Sequence, residues 1–120
     1  MTITHIGAGA RYSKAVVHGN IVYLAGQVAG QVAEKAAGQG ATEQTEEILS
    51  TIDALLAEAG SDKTKLLSVT IWLADMASFG EMNAVWDKWV VPGHAPARAT
   101  VEAKLASHRY KVEITAIAAL

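Results

Sequence analysis

The spacing of apolar residues changes period several times along the chain, and each change predicts an element. Ala15–His18 and Ile21–Ala25 are short apolar runs parted by Gly19-Asn20, a pair suited to a tight turn, so they predict a β-hairpin. Gly26 to Gly40 is rich in Gly, Ala and Gln and carries no period, which predicts a loop. From Thr42 onward Ile48, Leu49, Ile52, Leu55, Leu56 and Ala59 recur at helical spacing and make one apolar stripe. Thr42 or Thr45 can cap the start of this helix, and Glu43, Glu46 and Glu47 suit the positive end of its dipole. Gly60 is placed to end it.

The period then shortens to that of a strand. Leu67, Val69, Ile71 and Leu73 alternate with Ser68, Thr70, Trp72 and Ala74. Ser78-Phe79-Gly80-Glu81 has the form of a capping box, and Met82, Val85, Trp86, Trp89 and Val90 continue as a second amphipathic helix up to Pro92-Gly93. Two further strands are predicted at about Ala97–Leu105 and Tyr110–Ala119. Ala99, Val101, Ala103 and Leu105 form one apolar parity set, and Val112, Ile114, Ala116 and Ala118 form the matching one. Two amphipathic helices need such a sheet face to cover. Arg98, Thr100, Glu102 and Lys104, with Lys111, Glu113 and Thr115, then leave the sheet on the other side. Arg98 and Glu113 are therefore expected on one common face, away from the helices. The expected class is α+β: a mixed β-sheet with two helices packed on one face, its more polar second face either wet or covered by other subunits. A length of 120 residues fits one domain spanning 1–120.

Composition sharpens this picture. The chain is 51% hydrophobic and 18% charged, against roughly 25% charged in ordinary soluble domains. So little charge favours hiding part of the surface in an oligomer. The net charge is −2, and Lys and Arg are spread without a basic stripe, so nucleic acid is not an expected partner. Absence of cysteine excludes disulfides, thiolate metal sites and a Cys nucleophile. The first residues lack a basic region followed by an apolar run, and no apolar stretch approaches the ~20 residues that span a bilayer. A soluble, cytoplasmic protein without a membrane partner is expected. His5, His18, His94 and His108 lack the spacing of a helical zinc site, and Gly38-Gln39-Gly40 lacks the third glycine of a dinucleotide fingerprint. Ser13 has no motif partner to activate it, and Trp72, Trp86 and Trp89 read as core or interface area.

The segment Pro96-Ala97-Arg98-Ala99-Thr100-Val101-Glu102-Ala103-Lys104-Leu105, with Val112-Glu113-Ile114 after it, resembles the signature of the RidA (YjgF) family of enamine/imine deaminases. Tyr12-Ser13-Lys14-Ala15-Val16, Gly19-Asn20 and Ala25-Gly26-Gln27 resemble that family's N-terminal hairpin. Glu43-Gln44-Thr45 opening one helix and Met82-Asn83-Ala84 in the next are also typical, so the resemblance runs in order over nearly the whole chain. From Ile71-Trp72-Leu73-Ala74-Asp75 onward it is closest to the YoaB-like branch. The resemblance implies a chorismate-mutase-like fold and a homotrimer with three clefts between subunits, working without metal or cofactor. It implies hydrolysis of 2-aminoacrylate and related 2-imino acids to 2-keto acids and ammonia. The family arginine falls on Arg98, which would grip the substrate carboxylate, and the family glutamate on Glu113, which would hold or activate the attacking water. Tyr12 falls with the catalytic set; Asn83, Ala25, Gly26 and Thr100 fall at substrate-binding positions.

Those residue types suit that chemistry. A guanidinium matches a carboxylate as a planar fork and stays charged at any working pH. One carboxyl group beside a C=N bond can take a proton from water and return it to the departing nitrogen. The chain also departs from the family pattern. Ala25 stands where many relatives have Ser, Ala10-Arg11 precedes Tyr12 where Gly-Pro is usual, Thr100 takes a position that is Cys in some, and Ala106 replaces a Pro. Loss of the Ser hydroxyl keeps a second function open, a non-catalytic trimer that binds or senses small carboxylate metabolites.

Overall fold

A computed structural model describes residues 1–34 and 40–120. The chain runs through strands β1 (Ile3–Ala8), β2 (Ser13–His18), β3 (Ile21–Leu24) and β4 (Gln27–Val28), helix α1 (Ala41–Ala59), strand β5 (Leu66–Leu73), helix α2 (Phe79–Trp89), and strands β6 (Ala97–Glu102) and β7 (Val112–Ala119). The strands lie in the order β1-β2-β3-β7-β5-β6, with β4 beside β7 beyond the end of β3. Every pair is antiparallel except β5 and β6. Parallel neighbours need a connection that crosses back, and α2 supplies it. The result is the expected α+β class: a mixed sheet with both helices on one face.

The core lies between that face and the helices. Val22, Leu24, Val69, Ile71, Leu73, Val112, Ile114, Ala116 and Ala118 of the strands meet Ile48, Leu49, Ile52, Leu55 and Leu56 of α1 and Met82 and Trp86 of α2. Polar side chains are sealed into this layer as well, Gln44 the largest of them among the described residues. Gln44 is fully buried, and its amide donates to the Arg109 carbonyl at 2.9 Å while accepting from the Lys111 N–H at 2.8 Å. Both of its polar ends are satisfied, as burial requires, and the start of β7 is thereby pinned to α1.

The local signals were met unevenly. The hairpin turn at Gly19-Asn20 is present, with Gly19 at φ +62°. Helix α1 begins at Ala41 with Gly40 as its extended N-cap residue and no side-chain cap, so neither Thr42 nor Thr45 plays that part. Thr45 is buried inside the first turns and its hydroxyl donates back to the Ala41 carbonyl at 2.7 Å, a bond that competes with capping. The capping box at Ser78 is also absent. A tight turn over Met76–Ser78 runs directly into α2, leaving Ser78 at φ −83°, ψ 1° rather than in the extended shape a cap needs. Asp75 caps that turn, accepting the Ala77 N–H at 2.9 Å, and α2 itself starts without a side-chain cap. Helix α2 stops at Trp89, before Pro92-Gly93. Strand β1 was not predicted, and β4 falls inside the predicted loop Gly26 to Gly40. Residues 35–39 of that loop, which include Gly38-Gln39, lie outside the described residues.

The largest correction concerns β6. Its partners on β5 are Val69 for Arg98, Ile71 for Thr100 and Leu73 for Glu102. Val69, Ile71 and Leu73 are core residues, so Arg98 and Thr100 point to the helix side and Ala99 and Val101 to the outer face, the reverse of expectation. Glu113 pairs with Trp72, and Trp72 pairs with Val101, so Glu113 does lie on the outer face. β6 is an edge strand that the helix layer covers only in part, and its apolar residues match apolar residues on the other face. That second face is the more polar one, as expected, yet it is mixed: Val16, Ile21, Tyr23, Trp72, Val101 and Ile117 lie on it beside His5, His18, Ser68, Thr70, Glu113 and Thr115. Tyr23 and Val101 are 45% and 43% exposed.

Two glycines separate backbone strain from backbone freedom. Gly60 sits at φ +86° with no atom near enough to touch an added methyl, so Gly60→Ala is expected to cost about 1–2 kcal/mol through the backbone alone. Gly80 lies in α2 with equally open surroundings, and Gly80→Ala is expected to gain about 0.5–1 kcal/mol. Urea unfolding of the two variants in parallel measures the opposite signs.

Candidate active site in two halves

One half lies in the seam between β6 and α2. The Arg98 guanidinium rests over the indole of Trp86, 5.1 Å from the ring centroid. A contact of this kind is worth about 0.5–2 kcal/mol and orients the planar fork. Trp86 is itself buried, and its ring tilts against Trp89 at 5.3 Å between centroids. The Trp89 indole N–H donates to Asp53 of α1 at 2.9 Å. A relay of contacts therefore runs from α1 through two tryptophans to Arg98. Thr100 lies two residues along the same face of β6, and Asn83 lies one helical turn before Trp86 on the same face of α2. The Thr100 hydroxyl and the Asn83 side-chain carbonyl are buried, and neither has a hydrogen-bond partner among the described residues. An unpaired buried polar atom costs about 1–3 kcal/mol. One sits on the strand face that carries Arg98 and the other on the helix face that carries the indole beneath it, so both fall in the same seam and lack a polar partner there.

The other half lies on the outer face. Val28, Glu113, Trp72 and Val101 form one row across β4, β7, β5 and β6, with Glu113 its single charge. Just before β4 the edge that runs from β3 to β4 takes an extra residue. Tyr23 pairs with Ile117 and Gln27 with Ile114, so four steps along that edge oppose three along β7. This is a β-bulge at Ala25-Gly26, a device that re-aims backbone and side chains. The Thr115 hydroxyl donates to the Leu24 carbonyl at 2.6 Å and the Ala25 N–H to the Lys14 carbonyl at 2.9 Å, which hold the bulge from both sides. Gly26 then lies against the Glu113 carboxylate. A Cβ there would overlap Oε2 and stand 3.1 Å from Cδ. Only glycine leaves the carboxylate where it is.

The predicted residues thus fall into two groups within a single chain. Arg98, Thr100 and Asn83 share the helix-side seam; Glu113, Ala25 and Gly26 share the outer face. Tyr12 stands in the turn between β1 and β2 and is 68% exposed. Trp86 was read only as core or interface area, and its place beneath Arg98 was missed. Its spacing of three from Asn83 on a predicted helix was the available signal. A groove of about 370 Å³ between α1 and α2, floored by Leu49, Val85 and Trp89, contains none of the predicted residues. Among the described residues no helix is long and apolar enough to cross a membrane.

Topology and residues together define a small α+β protein of the kind in which an arginine on the edge strand and a glutamate on its neighbour's neighbour serve separate faces. Comparison with known proteins gives the family. The family profile described as Endoribonuclease L-PSP matches residues 2–120. The RutC family protein YoaB of Escherichia coli (strain K12) is 47% identical over 120 residues, covering both chains in full. A crystal structure of a YjgF-family member from Neisseria meningitidis superposes with a TM-score of 0.91 at 44% identity, over 99% of this chain and 95% of that one. Reactive Intermediate Deaminase A, chloroplastic, of Arabidopsis thaliana is 34% identical over 111 residues, covering 91% of this chain and 58% of that protein. The chain belongs to the RidA (YjgF) family, in its YoaB-like branch.

The contact at the bulge is directly testable. Gly26→Ala is expected to fold normally while the Glu113 side chain swings to another rotamer, at a cost of about 0.5–1.5 kcal/mol. A crystal structure of the variant, with its urea unfolding curve, reads both.

Proposed function

We propose that the protein hydrolyses 2-imino acids and their enamine tautomers to 2-keto acids and ammonium, in a cleft completed by a second copy of the chain. The observation that carries this reading is the pairing of the Arg98 guanidinium on Trp86 with the unpartnered Thr100 hydroxyl and Asn83 carbonyl. A carboxylate is what a guanidinium fork binds best, and the polar neighbours suit the nitrogen and hydroxyl of an imine and its water adduct. The name of the Arabidopsis relative agrees with this chemistry.

Arg98 and Glu113 leave opposite faces of the sheet, so one chain does not supply both to one small ligand. A neighbouring copy resolves this if its outer face meets the β6 edge, and the apolar outer row gives such a contact its driving force. A closed homotrimer repeats the same junction three times. In each junction Arg98 of one subunit holds the carboxylate, and Glu113 of the next takes a proton from water as its oxygen bonds to the imine carbon. The same carboxyl returns that proton to nitrogen, and the remaining hydroxyl proton passes to the departing ammonia as the carbon–nitrogen bond breaks and the carbonyl forms. The balance is C=NH₂⁺ + H₂O → C=O + NH₄⁺, with no change of oxidation state. Trp72 and Val28 beside Glu113 lower the local polarity, which strengthens each charged contact. The net charge of −2 and dispersed cations give a polyanion little to bind, which favours this reading over nucleic-acid cleavage.

The test generates imino acids in situ with an amino-acid oxidase and follows their loss, with 2-keto acid binding measured separately. Arg98→Ala is expected to lower kcat/KM by about 100-fold, from charge-assisted bonds worth about 1.5–3 kcal/mol each. Glu113→Gln is expected to lower kcat by about 10²–10⁴ while 2-keto acid binding persists. Hydrolysis by Arg98→Ala at the wild-type rate would sink the reading, and binding without turnover in the wild type would make the protein a non-catalytic binder. Co-expressing the two inactive variants checks the shared cleft. Random mixing pairs an intact Arg98 with an intact Glu113 in about a quarter of junctions, so about that share of activity returns. A cleft built within one chain would recover none.

A further inference from the structure

A second groove lies at the turn joining β1 to β2, and β2 runs next to the edge that carries the bulge of the outer half-site. Its volume is about 420 Å³ and its lining is Gly7, Gly9, Ala10, Arg11, Tyr12 and Lys14. Two of these residues are cations and none is an acid. The seat of Lys14 is built into the backbone. Ile6 pairs with Ala15 and Ala8 with Ser13, and between them Gly7 takes φ +60°. A Cβ on Gly7 would stand 2.7 Å from Cδ and 2.9 Å from Cγ of Lys14, so the lysine stem lies across the glycine and any side chain there would displace it. Packing of this stem pre-pays part of the rotamer entropy that an ordered ammonium otherwise loses. The Lys14 carbonyl accepts from Ala25 N–H, which ties this strand to the bulge whose Gly26 abuts Glu113. By strand parity Lys14 and Glu113 lie on the same face, opposite to the buried Ala15 and Ile114. Tyr12, expected in the cleft, stands between the two cations in sequence.

Arg11 and Lys14 are unnecessary for an imino acid with a small alkyl side chain. Arg98 already answers its one carboxylate, and two further hydrated cations offer nothing to a methyl group. We infer that the preferred substrates are 2-imino acids carrying a second carboxylate in the side chain, and that Arg11 and Lys14 are the specificity-determining residues that bind it. The inference rests on the deaminase reading and narrows it. The reaction is unchanged, since the second carboxylate binds but neither gains nor loses a bond. Discrimination arises because a charge-assisted contact is present for the diacid and missing for the monoacid.

Calorimetry with 2-oxoglutarate and 2-oxopentanoate tests this, because the two keto acids share a chain length and differ in the terminal carboxylate. The wild type is expected to bind 2-oxoglutarate at least about tenfold more tightly, with a preference that shrinks as salt rises. Arg11→Ala and Lys14→Ala, both at exposed positions, are expected each to reduce that preference several-fold and to leave 2-oxopentanoate binding unchanged. Imine hydrolysis from the corresponding amino acids is expected to follow the same order in KM. Equal affinity of the wild type for both acids, or a preference that survives the double variant, overturns the inference while leaving the deaminase reading intact. Failure to bind either acid, together with no effect of Arg98→Ala on hydrolysis, overturns the deaminase reading itself.

Discussion

The pleat of a single β-sheet governs how this molecule can act. Neighbouring residues on a strand point to opposite faces, and the register of β6 on β5 and of β5 on β7 carries that alternation across the sheet. Arg98 falls in step with Val69 and the core, and Glu113 in step with Trp72 and the outer face. No rotamer change brings the two groups together through a layer of packed backbone. Either they serve unrelated ends, or a second copy of the chain joins them. The proposed hydrolysis and the apolar residues exposed on the outer face, Tyr23 and Val101 among them, favour the second.

Each half is held by more than its own strand. On the helix side, Asp53, Trp89 and Trp86 transmit the position of α1 to Arg98. On the outer side, the Gln44 amide clamps the chain on either side of Tyr110, three residues before Glu113, and the Ala25-Gly26 bulge closes over the carboxylate. Helix α1 thus contributes to both halves without placing a residue in either. For the proposed hydrolysis, which needs little acceleration, holding groups in place supplies most of what the protein adds. It also explains the typical Glu43-Gln44-Thr45 at the head of α1, a polar motif whose Gln44 is buried.

Two of the departures from the family pattern, Ala25 and Arg11, lie near one another at the β1-β2-β3 side of the sheet. Ala25 removes a hydroxyl at the bulge, and Arg11 adds a cation at the neighbouring turn. Both changes leave Arg98, Glu113 and Gly26 in place. A site that keeps its reactive groups and alters its surroundings has the form expected when reaction is retained and substrate choice moves.

Much of this was legible along the chain. The stripe from Ile48 to Ala59, the alternation through Ile71 and Leu73, the turn at Gly19-Asn20 and the stop at Gly60 are local patterns, and local backbone preferences carry them. The motif around Arg98 and Glu113 named the family for the same reason: residue identity in a fixed order needs no folded chain. The facing of Arg98 was not legible. Its strand is short, half covered and flanked by apolar residues that match the outer surface, and parity within one strand does not say which face is inner. That was decided by the parallel register of β6 on β5. The same is true of Trp86 beneath Arg98 and of Gly26 against Glu113, pairs separated by 12 and 87 positions. Such contacts are made by packing between distant segments, and only the tertiary structure brings them into reach.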